Sequence, residues 1–166
     1  MLAPDVFYLH EDEWGMIALE PVEALAERQQ VVDEARTHAE AHQAQPGSSI
    51  YVAPRSPVTI ATRAITLAAL RAALPDHRVV GSVHSEFLDY PGTSLVPFAL
   101  GLDAVVLYGL VDGEHVAQLA ITECKKPMGV MLHRLGMTFR LLLCDLWRNV
   151  VVDLADRLAV ERYVSS

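Results

Sequence analysis

The sequence predicts an α+β fold, in which a mixed, mainly antiparallel sheet of about five strands has about three helices packed on it. Short runs of β-branched and aromatic residues alternate with helical patterns along the chain. The dipeptide Asp112-Gly113 between two apolar runs indicates an antiparallel hairpin. A length of 166 residues with 52% hydrophobic residues is enough for one domain with its own core. We therefore expect residues 1–166 to form a single globular domain.

The first quarter of the chain is expected to contain a strand, a loop and a helix. Val6–His10 is a short apolar run typical of a strand, and Glu11–Ala18 has the composition of a loop that holds Trp14. Pro21 suits the first turn of a helix, which the apolar spacing extends to about His42. The apolar positions of that helix are Val22, Leu25, Val32, Ala35 and Ala39.

The middle of the chain is expected to alternate between strands and a second helix. Ser49–Ala53 is rich in strand-forming residues, and Thr59–Leu74 has an Ala-rich helical pattern that Pro75 ends. Arg78–Leu88 is expected to form a third strand, and Asp89–Pro97 a loop.

The last third is expected to contain the hairpin and a long helical segment. Leu102–Leu110 is apolar except for Asp103, which indicates a central strand, and Glu114–Thr122 follows as its partner. Met131–Tyr163 has a helical pattern that could break at Gly136. The expected core stripe of this helix is Trp147, Val151, Leu154 and Leu158, with Asp153 and Arg157 as an exposed pair.

The net charge of −8 lies entirely in residues 1–43, which carry ten acids and two bases. The remaining residues carry eleven of each. A local acidic field could steer a basic protein partner toward this region. The same acid excess argues against nucleic-acid binding, which requires a basic face. No apolar stretch approaches 18 residues, so we expect no membrane span.

The densest polar cluster is the segment His10-Glu11-Asp12-Glu13-Trp14. A tryptophan beside charged residues is a composition typical of protein-binding hot spots, so Glu11, Asp12, Glu13 and Trp14 are the expected binding residues. A hard cation bound by His10 and Asp12, or an acid/base pair, is the chemical alternative. An acidic solvated loop anchored by a buried tryptophan is the alternative without a function.

A catalytic site would have to come from His84, Glu86 and Cys124. His84-Ser85-Glu86 matches the H-x-E of zinc deaminases, but the second cysteine of the required P-C-x-x-C is missing, so we reject that reaction. Cys124 precedes Lys125-Lys126, which could lower the pKa of its thiol. A structural His–Glu hydrogen bond and an unreactive cysteine are the simpler interpretations.

Two histidines of the first helix have a metal-ligand spacing. His38 and His42 stand four residues apart, as do Glu34 and His38, but the chain lacks the zincin order of residues. Histidines near a helix C-terminus are also favoured by the helix dipole. We therefore expect no bound metal and no cofactor, and we find none of the common nucleotide-binding or hydrolase motifs.

These observations favour a binding protein over an enzyme. We expect a small acidic bacterial domain in the cytoplasm that binds or inhibits a basic protein, as an immunity protein does. The setting is inferred from eleven arginines against two lysines, and from two cysteines that a domain of this size does not need to pair. A small enzyme or metal-binding protein with a His/Glu/Cys site is the alternative. A homo-oligomer that associates through the apolar stretch Leu95–Leu102 is a third.

Overall fold

A computed structural model of the chain describes residues 6–9, 13–42, 56–80, 82–84, 94–102, 105–122 and 128–166. These residues form nine strands and four α-helices, with short 3-10 turns at Val22–Ala24 and Ile60–Arg63. The elements are β1 (Val6–Tyr8), β2 (Ile17–Pro21), α1 (Leu25–His42), α2 (Leu67–Ala73), β3 (Arg78–Val79), β4 (Ser82–His84), β5 (Leu95–Leu102), β6 (Val105–Asp112), β7 (His115–Ile121), α3 (Gly129–Phe139), β8 (Leu141–Asp145), β9 (Val150–Asp153) and α4 (Arg157–Ser165).

Seven of these strands form one antiparallel sheet in the order β3-β5-β6-β7-β2-β8-β9. The other two, β1 and β4, pair with each other in parallel. The predicted α+β class is therefore confirmed. The seven-stranded sheet is antiparallel throughout, and the parallel pairing among the described strands is that of β1 with β4. The described residues contain more strands and one more helix than predicted.

Both faces of the sheet are covered. On one face, side chains of α2, α3 and α4 form the main core with alternate residues of the strands, for example Leu70, Leu132 and Val160 against Leu107 and Leu143. On the other face, α1 packs through Val32 on β8, and the β1–β4 pair packs over Ala99, Tyr108 and Ala120. This second face positions the candidate site described below.

The predicted hairpin lies where the sequence places it. Asp112 pairs with His115 across the turn between β6 and β7, and Gly113 has a φ of +61°, which glycine adopts without strain. Five successive residues of β6, Leu107–Val111, are buried, as expected for a strand covered on both faces.

Strand β2 is missing from the sequence prediction, although it lies near the centre of the sheet between β7 and β8. Ile17, Leu19 and Pro21 are buried, whereas Ala18 and Glu20 between them are half-buried, and this alternation is the two-residue period of a strand. The proline ends this strand and does not open the helix. A 3-10 turn separates it from α1, and Leu25 at the start of that helix is 37% exposed, outside the core stripe.

The predicted C-terminal helix is wrong over its middle part. Arg140, with a φ of +54°, ends α3, and the following residues form the hairpin of β8 and β9 before α4 begins. All five residues of β8 are buried because helices cover both faces of the sheet at this strand, so no period distinguishes it from a buried helix. Trp147 and Leu158 are 60% and 68% exposed, outside the core stripe proposed for them.

Other elements also differ from their predicted bounds. The helix predicted over Thr59–Leu74 is interrupted at Ala64, which has a φ of +49°, and only Leu67–Ala73 is α-helical. Instead of the single strand predicted over Arg78–Leu88, the described residues form two short strands, β3 and β4, which belong to different sheets, and residues 85–88 lie outside the described ranges. The loop predicted over Asp89–Pro97 is wrong at its end, because strand β5 of the sheet begins at Leu95. Ser49–Ala53 lies outside the described residues.

Two further expectations concern the last helix and the bilayer. Asp153 accepts a hydrogen bond from the Ala155 amide, and Arg157 forms an ion pair with Glu161. The predicted pair between Asp153 and Arg157 is therefore absent.

Among the helices that the structure describes, none combines the length and the apolar character needed to cross a lipid bilayer.

Candidate functional site

Residues 13–16, which join the segment after β1 to β2, are held on the sheet by one buried tyrosine. Tyr108 of β6 is 1% exposed, and its hydroxyl accepts a hydrogen bond from the Gly15 amide at 3.0 Å. The same hydroxyl donates to the Glu13 carbonyl at 3.0 Å. The Trp14 ring lies 5.2 Å from the Tyr108 ring, tilted by 54°. The loop is therefore anchored by two main-chain hydrogen bonds and a ring contact.

The charge state of Tyr108 keeps this anchor in place. Burial raises the pKa of its hydroxyl to about 12, although the hydrogen bond from Gly15 opposes the rise, and the nearby Glu13 charge adds to it. The hydroxyl therefore stays protonated at neutral pH and remains a donor to the Glu13 carbonyl. The Glu13 side chain itself is exposed, while Trp14 is half-buried.

A cavity of about 470 Å³ lies beside this loop, and we call it the Trp147 pocket. Its lining combines buried apolar side chains with polar and aromatic ones. The lining residues are Leu9, Glu13, Met16, Ile17, Tyr108, Ile121, Thr122, Asp145, Trp147 and Arg148. The loop predicted to bind a partner therefore shares a concave surface with the exposed indole of Trp147.

Trp147 stands on the turn between β8 and β9, and a buried carboxylate stabilises that turn. Asp145 is 0% exposed and accepts hydrogen bonds from the Arg148 amide at 3.0 Å and from the Tyr163 hydroxyl at 2.8 Å. Asn149 has a φ of +51°, which suits the turn. The Asp145 carboxylate is satisfied within the protein, so it holds the turn in position and is not available to a ligand.

The charge of Arg148 is directed toward the C-terminal helix. Its Nε lies 3.6 Å from the Asp145 carboxylate, and Nη1 donates to the Tyr163 carbonyl at 3.0 Å and to the Ser166 hydroxyl at 3.1 Å. Its guanidinium carbon lies 5.0 Å from the centre of the Tyr163 ring. Asp145 therefore offsets the positive charge that Arg148 contributes to the described lining of the Trp147 pocket.

A second concave surface, which we call the sheet-face groove, has a volume of about 640 Å³ and lies between residues 13–16 and α1. Its lining includes Trp14 and a bidentate ion pair between Glu20 and Arg28, with N–O distances of 2.5 and 2.6 Å. Burial disfavours the guanidinium, but the pair with Glu20 outweighs this effect and raises the pKa of Arg28. This pair satisfies its own charges.

The acidic field of the N-terminal region is smaller in the fold than in the sequence. Three of its acids form ion pairs with arginines: Glu20 with Arg28, Glu23 with Arg63, and Asp33 with Arg36 at 3.4 Å. Arg63 comes from outside the acidic segment, so its contribution could not be read from local composition. Of the expected binding residues, Glu13 keeps an exposed carboxylate that no ion pair among the described residues involves.

The remaining predicted site residues are only partly placed by the structure. The predicted residues that lie outside the described ranges are His10, Glu11, Asp12, Glu86 and Cys124. His84 belongs to β4, where its backbone pairs with Tyr8, and its side chain is not described. The catalytic hypothesis therefore stays a prediction.

His38 and His42 do come together at the end of α1. Their rings stack with centroids 4.2 Å apart, and Nδ1 of His42 lies 2.7 Å from the His38 carbonyl. Among the residues that the structure describes, no group of three or more His, Cys, Asp or Glu side chains is arranged to hold a metal ion. The contact between these histidines consists of a ring stack and a hydrogen bond between the His42 ring and the main-chain carbonyl of His38.

Sequence reasoning missed Tyr108, Asp145 and the exposure of Trp147. One signal was present, because Asp145 interrupts the apolar run from Leu141 to Leu146, and a lone carboxylate in such a run must find partners.

Comparison with protein-family models, with curated proteins and with solved structures finds no match to this chain.

Proposed function

We propose that this chain is a non-enzymatic protein-binding domain that holds a basic protein partner through the loop around residues 10–14, as an immunity-type inhibitor does. The observation that carries the proposal is the fixed position of residues 13–16. Tyr108 holds their main chain on the sheet while the Glu13 carboxylate remains exposed. A binding segment whose main chain is already held in place, as that of residues 13–16 is, loses little conformational entropy on association, so more of its contact energy appears as affinity.

The charge of the same region supports a basic partner. Residues 13–42 contain seven acids and two arginines, and Glu11 and Asp12 precede them directly in the sequence. Three acids of this region are paired internally, whereas the exposed Glu13 carboxylate of the loop takes part in no ion pair among the described residues, so its charge can act on a partner. Exposed charges of this kind act mainly on the rate of encounter and make that rate sensitive to salt.

The setting in the proposal is the cytoplasm of a bacterium. Cys144 is a free, buried thiol, which is compatible with a reducing compartment. The strong preference for arginine over lysine is typical of a GC-rich bacterial genome.

The test begins with affinity capture from an extract of the source organism, followed by association kinetics with any basic protein retained. The variant Glu11→Gln/Asp12→Asn/Glu13→Gln removes three charges from the loop. We expect association with the wild-type protein to be about tenfold faster at low salt than with this variant, because steering by local charge commonly changes the rate by that much or more. At high salt the two rates should converge.

The matched control removes three charges elsewhere with Asp76→Asn/Glu114→Gln/Glu161→Gln. All three of these side chains are exposed, and Glu114 lies in the β6–β7 turn at the far end of the hairpin from the Tyr108–Ala120 pair. This variant should associate nearly as fast as the wild type. Equal slowing by both triple variants would mean that only net charge matters. Capture of no basic protein, or a rate that does not depend on salt, would exclude the proposal.

A further inference from the structure

The Trp147 pocket has the composition of a site for one long side chain. Leu9, Ile17 and Ile121 are at most 5% exposed and form an apolar floor. Trp147 and Glu13 line the same cavity but are exposed, so they belong to its rim. An apolar floor with an indole and a carboxylate at the rim matches a side chain with a methylene stem and a polar end.

The sign of the charge at the rim decides which polar end fits. The positive charge that lines the pocket, on Arg148, is drawn toward Asp145 and the carbonyl of Tyr163. Asp145 is fully buried, accepts hydrogen bonds from the Arg148 amide and the Tyr163 hydroxyl, and forms an ion pair with the Arg148 guanidinium. Arg148 is also exposed, but Asp145 offsets its charge, so among the described lining residues Glu13 carries the charge that no described ion pair offsets, and it attracts a cation and repels an anion.

We infer that the Trp147 pocket receives one long basic side chain of the protein partner, with its stem on the apolar floor and its cation between the Trp147 indole and the Glu13 carboxylate. This inference rests on the proposed function and adds a recognition site to it. A cation over an indole face is attracted by the ring, and a nearby carboxylate strengthens the attraction. Tryptophans at the centre of an interface commonly carry much of the binding energy.

The turn geometry supports this role for Trp147. The indole is 60% exposed, yet the turn that carries it is fixed by the hydrogen bond from the Arg148 amide to buried Asp145. An exposed large aromatic side chain costs solubility, and here it stands on a rigid support beside a cavity. A binding residue held in this way needs little reordering when a partner arrives.

The test uses the full chain labelled with ¹⁵N and two tripeptide probes. One is acetyl-Gly-Arg-Gly-amide, and the other replaces arginine with citrulline, its uncharged isostere. We expect the arginine probe to shift the indole N–H signal of Trp147 in a saturable way at millimolar concentrations. The citrulline probe should bind at least threefold more weakly, because it keeps the stem and loses the cation. The signal is assigned by its absence in Trp147→Phe.

Four variants complete the test, and their binding is measured from the backbone amide signals of the residues that line the pocket, because Trp147→Ala and Trp147→Phe lack the Trp147 indole. Trp147→Ala should weaken arginine-probe binding about fivefold, and Glu13→Gln about threefold, as expected for exposed cation–π and ion-pair contacts. Trp147→Phe should restore part of the affinity because it keeps an aromatic face. Leu158→Ala removes an exposed apolar side chain of similar exposure from α4 and should leave binding unchanged. Equal binding of both probes, or no saturable shift, would overturn the inference.

The partner assay separates this inference from the proposed function. If a basic protein is captured and Trp147→Ala binds it as tightly as the wild type, the function stands and the pocket assignment fails. If the arginine probe binds at Trp147 but no basic protein is captured, the site stands and the proposed function fails.

Discussion

Replacing Tyr108 with phenylalanine isolates the anchor of the loop. The substitution keeps the ring, so the contact with Trp14 at 5.2 Å is retained. It removes the hydroxyl that accepts from the Gly15 amide and donates to the Glu13 carbonyl, each at 3.0 Å. Any effect on the loop is therefore assigned to these two hydrogen bonds.

The expected loss follows from the number of bonds and the exposure of their partners. One intramolecular hydrogen bond contributes about 0.5–1.5 kcal/mol net to stability, and an unsatisfied buried group costs more. Both partners of the Tyr108 hydroxyl lie in a loop with exposed and half-buried residues, so water can replace part of the lost bonding. We expect Tyr108→Phe to lower the free energy of unfolding by about 1–2 kcal/mol.

Hydrogen exchange of the Gly15 amide measures the same bond locally. A loss of about 1–2 kcal/mol should accelerate its exchange about 5- to 30-fold. The amide of Gly113, in the distant turn of the β6–β7 hairpin, is the internal control and should exchange at its wild-type rate. Unchanged exchange at Gly15 in Tyr108→Phe would refute the conclusion that this tyrosine holds the loop.

The alkaline pH dependence of stability gives a second measurement on the same residue. Burial raises the pKa of Tyr108 from 10.0 to about 12, so the unfolded chain loses this proton at lower pH than the folded one. The contribution of protonated Tyr108 to the free energy of unfolding is fully present below pH 10 and is lost as the pH rises toward 12. A pKa rise of this size corresponds to a loss of about 2.7 kcal/mol in that free energy. Tyr108→Phe should show a correspondingly shallower loss of stability between these pH values in urea titrations.

Three further predictions concern the scaffold. Asp145→Ala should lower the free energy of unfolding by about 3–5 kcal/mol in chemical denaturation, because it leaves buried donors without their acceptor. Tyr163→Phe loses one 2.8 Å hydrogen bond to that carboxylate and should lower it by about 1–3 kcal/mol. Equal losses in the two variants would contradict this ranking. Gly136→Ala should lower the melting temperature strongly because its Cβ would overlap the backbone carbonyl that follows β9, whereas Gly129→Ala meets only ordinary contacts at 3.5 Å and should be tolerated. Burial raises the pKa of the Cys144 thiol from 9.0 to about 11, so Cys144→Ala should flatten the decline in stability between pH 9 and 11, and a decline as steep as that of the wild type would show that the thiol titrates normally.

Local signals predicted the elements whose formation depends mainly on neighbouring residues. The turn at Asp112-Gly113 was predicted because two residues with suitable backbone preferences are enough to join two strands. The end of helix α1 at His42 was predicted, although of the five apolar positions predicted for it only Val32 is buried, and Leu25 and Ala39 are exposed. The α+β class followed from the alternation of such patterns.

Elements buried on both sides were predicted less well. In β8, five successive residues are buried, so the pattern that distinguishes a strand from a buried helix is absent. In β2, the alternation was present but short, and Pro21 at its end suited a helix start equally well. The choice was made by the neighbouring strands, because β2 satisfies hydrogen bonds of both β7 and β8.

The composition of the candidate site was visible in the sequence, but its arrangement was not. The sequence by itself determined that acids and a tryptophan cluster near residues 10–14, and that the charge of −8 is local. Only the tertiary structure placed Tyr108 against residues 13–16, 93 positions along the chain from Gly15, and placed Trp147 and Glu13 in the lining of one cavity. Local propensity acts over a few residues, whereas a binding surface depends on contacts between distant segments that form only when the sheet and its helices pack.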